Sequence, residues 1–249
     1  MRALRILAVA VFVAAVPVFL IATNVRWVIG APLLYSYGFD KYDIPSATGI
    51  ERDELLSAAR QIRDYFGNDD EFLTVSVIQY GVHVENLYKS KEILHMKDVK
   101  SLVRGVYRVQ EAAGAYLVAF ALIGLLVYRR GFLSRLARYA AYGGAATVGL
   151  VVVVGLGSLI GFDRLFLAFH LVSFSNDLWQ LDPRTDYLIA MFPEGFFLDA
   201  TLWIAGSTVL EAAVILGVSV LFLRSRRDFV QDRLPLGADA EEPGRVDAG

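Results

Sequence analysis

Four long apolar runs dominate this chain: Ile6–Val25, Ala112–Tyr128, Tyr139–Phe162 and Ala200–Leu223, free of charge except for Glu211. A run of about 20 such residues is long enough, as a helix, to cross a hydrocarbon core of roughly 30 Å. The 249 residues are 56% hydrophobic, with a mean hydropathy of +0.49, which lies outside the soluble globular range. A cleavable signal peptide is the rival reading of the first run, given Arg2, Arg5 and the Ala-rich interior. The run is too long and lacks a clear small-residue cleavage site, so it reads as a retained span with an expected kink at Pro17.

The flanks orient the spans. Arg2 and Arg5, the Arg129–Arg138 stretch, and Arg224, Arg226 and Arg227 all fall on one side of a four-span chain. The positive-inside rule places that side, with both termini, in the cytoplasm. The expected fold is therefore a mainly α membrane protein of four transmembrane helices, with a small α/β extracytoplasmic domain between spans 1 and 2. Its segments are span 1 at 6–28, the extracytoplasmic domain at 29–110 and span 2 at 111–128. A cytoplasmic loop at 129–138, span 3 at 139–162 and an extracytoplasmic site loop at 163–199 follow. Span 4 at 200–223 and a cytoplasmic, acidic, disordered tail at 224–249 complete the chain. The spacing of Gly157 and Gly161 is one that lets helices pack closely.

Within 29–110, Ile50–Phe66 carries apolar residues at helical spacing, with Ser46 or Thr48 as candidate cap and Gly67-Asn68 as stop. Phe72–Val84 is β-rich and partly alternating, a strand or short hairpin. Lys91–Arg104 returns to a helical pattern.

Net charge is −2 and no basic face stands out, which argues against a nucleic-acid partner. The chain has no cysteine, so disulfides, thiolate metal sites and cysteine nucleophiles are excluded. Chemistry concentrates elsewhere. The stretch Phe169–Phe197 (FHLVSFSNDLWQLDPRTDYLIAMFPEGFF) places His170, Asn176, Asp177, Asp182, Asp186 and Glu194 among aromatics between two spans. All three histidines, His83, His95 and His170, fall in the two outer segments. His83, near Glu85 in the alternating stretch, reads as structural. His95 shares a helix face with Asp98, an arrangement that either orients an imidazole or forms a surface pair. His170, in an apolar setting beside Asn176, Asp177 and Trp179, reads as functional. A zinc site from His95, His170 and Asp98 or Asp177 ranks below metal-free acid–base chemistry, because no HExxH-type spacing is present. Glu211 within span 4 is a functional candidate by default, but it reads better as a protonated carboxyl bonded to Ser or Thr of a neighbouring span.

The loop motif FHLVSFSNDLWQLDPRTDYLIAMFPEGFF, together with KEILHMKDVK and the earlier ERDELLSAARQIRDYF, resembles a bacterial integral membrane family formerly regarded as conserved and uncharacterised. That family includes the lipoprotein intramolecular transacylases (Lit-like proteins). The resemblance covers about Met1–Leu223 and leaves out the acidic tail. It implies an acyltransferase that moves the sn-2 acyl chain of a diacylglyceryl-cysteine lipoprotein to the α-amino group of that cysteine, giving the lyso-form. Its partners would be diacylated lipoproteins and membrane lipid, with no cofactor. The family's two catalytic histidines match His95 and His170. Asp98 or Asp177 would fix an imidazole tautomer, and Asn176 and Trp179 would donate to an oxyanion. Aromatics about the loop, Phe169, Phe174 and Phe192 among them, would accept acyl chains. A lipid or peptide hydrolase using the same histidines, with or without zinc, and a non-enzymatic assembly factor are the alternatives.

Overall fold

The structure, a computed structural model, describes residues 2–231. The acidic tail expected to be disordered lies outside the described residues. Among the described residues four helices are long and apolar enough to cross a membrane: α1 (Arg2–Gly30), α5 (Ser90–Tyr128), the Leu133–Leu159 part of α6 (Leu133–Ser173), and α8 (Glu194–Gln231). Their outward faces expose large apolar side chains such as Leu126, Val153, Leu210 and Leu221, a belt suited to lipid rather than water. Backbone groups in hydrocarbon must be satisfied within the segment, which is why these runs are helical.

Helix α1 runs through the middle of the bundle and packs against α5, α6 and α8. Phe12, Val16 and Leu20 of α1 meet Ala212 of α8 in a buried cluster. Lipid is as apolar as these side chains, so close van der Waals fit, not hydrophobic expulsion, holds the spans together. A Cβ on Gly143 would stand 2.7 Å from Val16, and one on Gly144 would stand 3.0 Å from the Ala212 carbonyl oxygen. The close approach expected at Gly157 and Gly161 is not there. A Cβ on Gly157 would meet nothing, and Gly161 (φ −165°, ψ 67°) interrupts the helix at the end of the third span. Glu211 does have a partner within the bundle, but it is an amide: Asn24 Nδ2 of α1 donates to Glu211 Oε2 at 2.8 Å.

Between the first two spans lie α2 (Pro32–Lys41), α3 (Ile44–Thr48), α4 (Arg52–Gly67) and a two-stranded hairpin of β1 (Val77–Gln79) and β2 (Val82–Val84). Pro32 explains the break after α1: it excludes helical backbone at Ala31 (φ −81°, ψ 112°) and opens the next helix itself. The amphipathic reading of α4 holds, with Leu55, Ala58, Ala59, Ile62, Tyr65 and Phe66 all buried. Its N-cap is Glu51, with no side-chain cap bond; Ser46 and Thr48 lie in α3. The hairpin pairs Val77 with Val84 through Tyr80 and Gly81, both at positive φ, the turn geometry that matches strand twist. Gly49 ends α3 in the left-handed region (φ 67°), backbone that favours glycine, and lies directly under the Tyr80 hydroxyl. The strand content of this segment is thus one small hairpin on a helical scaffold.

The helix expected over Lys91–Arg104 and the second span are one continuous helix, α5, because no proline or turn signal separates them. Beyond the interruption at Gly161, α6 likewise continues to Ser173, so the first part of the polar loop is helical. The short α7 (Tyr187–Met191) then leads into α8. A second core, including Phe39, Ile44, Leu55, Leu73 and Met191, joins α2, α3, α4 and α7 outside the spans. Each such side chain contributes roughly 1.5–3 kcal/mol when withdrawn from water.

Gly143→Leu is expected to force α1 and α6 apart, and to lower both folded yield in detergent and apparent Tm. The equivalent Gly157→Leu should leave both near wild type. Scanning fluorimetry of the two purified variants checks this.

Candidate active site

His95 stands one turn into α5, and its position follows from how that helix begins. Glu92, fully buried, accepts the Lys89 backbone N–H at 2.8 Å and the Leu188 backbone N–H of α7 at 2.6 Å. One carboxylate therefore satisfies open donors at the starts of two helices and fixes α5 against the later loop. His95 follows three residues on, 6% exposed. On the same face, Lys91 bonds the Gln180 carbonyl and Asp98 Oδ2 accepts from Asn176 Nδ2 at 2.9 Å. Lys89 pairs with Asp186 at 2.9 Å. These ties bring the stretch after α6 across α5.

His170 arrives on the last turn of α6, 8% exposed. Its Nδ1 lies 2.7 Å from the Phe166 carbonyl oxygen. A carbonyl only accepts, so Nδ1 carries the proton and the neutral ring presents its lone pair at Nε2. The His95 and His170 ring centroids are 6.3 Å apart. Aromatics enclose the pair: Phe166 and Trp179 lie 4.4 and 5.0 Å from His170, and Phe174 lies 5.0 Å from His95 and 5.6 Å from His170. Phe169 meets His170 edge-on at 5.4 Å.

His95 lies well outside the apolar run of its helix, yet burial, reinforced by the neighbouring His170, pushes its imidazole down from 6.5 to about 4. Its Nδ1 is buried with no hydrogen-bond partner among the described residues. At neutral pH this ring is therefore uncharged. In the loop, the Arg184 guanidinium holds the Asp182 carboxyl down at about 2, and the Asp182 backbone N–H and Lys89 keep Asp186 low as well.

The structure brings together His95, His170, Phe169, Phe174 and Trp179, with Asp98 and Asn176 bonded to each other beside them. Asp98 is thus engaged with Asn176, and the His95 Nδ1 meets no partner among the described residues. Asp177 is exposed and accepts from Gln180 Nε2 at 3.0 Å. Phe192 is elsewhere, in the core against Tyr35, Phe39 and Phe196. His83 sits exposed on β2. Two residues were missed in the sequence. Phe166 precedes His170 by four, a spacing that marks a helical neighbour once the stretch is known to be helical. Glu92 stands in the quoted motif, but a lysine at the N-cap does not announce a capping arrangement. Among the described residues no three His, Asp or Glu side chains gather as a metal site would require.

A model of the family "lipoprotein intramolecular transacylase Lit" matches residues 10–197. The chain belongs to that family. Its fold is also that of the membrane-integral lipoprotein intramolecular transacylase Lit from Bacillus cereus, at 21% identity and a TM-score of 0.78 over 92% of this chain and 100% of the other. Two variants of the same Bacillus cereus Lit, with one histidine replaced by arginine or by alanine, match with TM-scores of 0.72. They cover 90% and 89% of this chain and 93% and 94% of theirs, again at 21% identity. No curated protein sequence matches. As a Lit-family protein with four membrane-spanning helices, the chain is a multi-pass membrane protein of a transacylase family.

With His95 depressed, the unfolded chain binds a proton near 6.5 while the folded chain waits until about 4. Stability is therefore full above 6.5 and falls as pH drops through that window. In detergent-solubilised protein carrying labelled histidine, the His95 Cε1–H NMR signal should keep its neutral shift from about pH 8 to about pH 5. An ordinary midpoint near 6.5 would contradict the burial argument.

Proposed function

We propose that this protein transfers the sn-2 acyl chain of a diacylglyceryl-cysteine lipoprotein to the α-amino group of the same cysteine, using His95 and His170. The observation that carries the reading is the meeting of two imidazoles from separate helices, centroids 6.3 Å apart, inside an aromatic enclosure.

The chemistry follows from the groups present. An α-amine with a pKa of about 7.7–8.0 is largely protonated at neutral pH and must lose a proton to attack. The Nε2 lone pair of His170, freed by the Nδ1 bond to Phe166, suits it to take that proton. The free amine, its first proton passed on from His170 to solvent, adds to the ester carbonyl and gives its second proton to an imidazole as the tetrahedral intermediate collapses by breaking the bond to the glyceryl oxygen. That oxygen leaves with a proton returned by the imidazole pair. An amide and a free sn-2 hydroxyl result, and each histidine ends as it began. Donor and acceptor lie on one molecule, so the site needs only to hold them close, which is worth several kcal/mol of barrier. No nucleophilic side chain is required. Burial of both rings among Phe166, Phe169, Phe174 and Trp179 keeps water from competing, which favours transfer over hydrolysis. Asn176 and the Trp179 indole are proposed donors to the oxyanion, and Asp98 a positioning residue acting through Asn176. We further place the site on the extracytoplasmic side, with both termini cytoplasmic, from the arginine-rich flanks.

His95→Ala and His170→Ala should each lower lyso-form production by about 100-fold or more. Mass spectrometry of a reporter lipoprotein, in a host whose lipoproteins are otherwise diacylated, reads this directly. Undiminished lyso-form in either variant would remove that histidine from the mechanism.

A further inference from the structure

We propose that Phe162, Phe166 and Phe197 form the seat of the migrating acyl chain and so set which chain lengths are transferred. This deepens the acyl-transfer reading and rests on it. After the interruption at Gly161, α6 carries Phe162, Phe166 and His170 at successive i, i+4 positions, so all three lie along one face. Their rings follow one another, at 5.7 Å from Phe162 to Phe166 and 4.4 Å from Phe166 to His170. Phe197, near the start of α8, closes on Phe166 at 5.1 Å and remains 36% exposed. Phe162 and Phe166 are half-buried, so the row is an open ledge and not part of a core. The buried Phe192 offers no such surface.

The ledge begins at the imidazole, and the occupant follows from that continuity. An ester whose carbonyl is attacked beside His170 has its alkyl chain leading away from the same point. Apart from the exposed Asp163 and Arg164, the outward side chains of this helical segment are apolar, with Leu171 64% and Val172 88% exposed, as a surface in contact with lipid would be. A chain moving from lipid onto these rings gains no hydrophobic free energy, because lipid tails and phenyl rings are equally apolar. What the ledge supplies is direction: it holds the first part of the chain along α6 and so fixes the ester carbonyl in front of the histidines. Phe162 lies eight residues before His170, about 12 Å along the helix axis. A larger ring there meets only the far part of a long chain.

That separation gives a test that a purely structural role cannot mimic. Purified protein is reconstituted in phosphatidylglycerol vesicles with a reporter lipoprotein bearing saturated sn-2 chains of graded length, and the N-acyl products are read by mass spectrometry. Phe162→Trp should lower kcat/KM for the longest chains by about tenfold relative to the shortest, while transfer of the shortest is retained. Phe197→Leu, which opens the ledge, should flatten the preference among lengths. Equal loss at every length, or an unchanged product distribution in both variants, overturns the proposal. Absence of any lyso-form from the wild-type protein would instead overturn the acyl-transfer reading, and this seat along with it.

Discussion

One buried carboxylate joins the two halves of the site. Glu92 accepts backbone N–H groups from Lys89 and Leu188, and so secures the start of α5 to the start of α7. Leaving those two donors unpaired in a buried position would cost about 1–3 kcal/mol each. The ties around it are more exposed and weaker, but they converge: Lys89 with Asp186, Lys91 with the Gln180 carbonyl, Asp98 with Asn176. Because α5 is a single helix from Ser90 to Tyr128, His95 is fixed rigidly to a membrane span, and the loop that sets Trp179 against His170 is tied to the same helix.

Two different forces hold the two parts of the molecule. Between the spans, small residues at Gly143 and Gly144 allow α1 and α8 to approach α6, and the Asn24–Glu211 bond adds a polar link. Outside the spans, ordinary hydrophobic burial around Phe39, Leu55 and Met191 organises α2, α3, α4 and α7. The histidines sit where the two regimes meet: His170 on the continuation of span three, His95 on the extension of span two. A site at that junction suits a substrate with one apolar and one polar end.

The candidate site was legible in part, and unevenly. His95 and His170 stood out because histidine is scarce in this chain and both lie in polar-rich motifs. Phe169, Phe174 and Trp179 are close to His170 in sequence as well as in space. Phe192 has the same composition signal but, at the end of α7, packs in the core against Phe39. Asp98 and Asp177 looked like equal partners for an imidazole. In the fold the first meets Asn176 and the second turns to Gln180. Side-chain direction in a loop depends on how that loop is anchored, and the Lys89, Lys91 and Glu92 anchors are non-local.

Hydropathy and arginine placement alone determined that this chain has four spans and a polar segment between the last two, because the length of an apolar run is a local property. The same local patterning determined α4, and narrowed Phe72–Val84 to a strand or short hairpin, which the structure resolves as β1–β2. Only the tertiary structure decided that α5 and α6 carry their histidines as rigid continuations of spans, with the two rings 6.3 Å apart. Contacts between residues far apart in the chain, Glu92 with Leu188 and Asp98 with Asn176, create that proximity. Sequence spacing does not encode such contacts; they follow from packing the helices together.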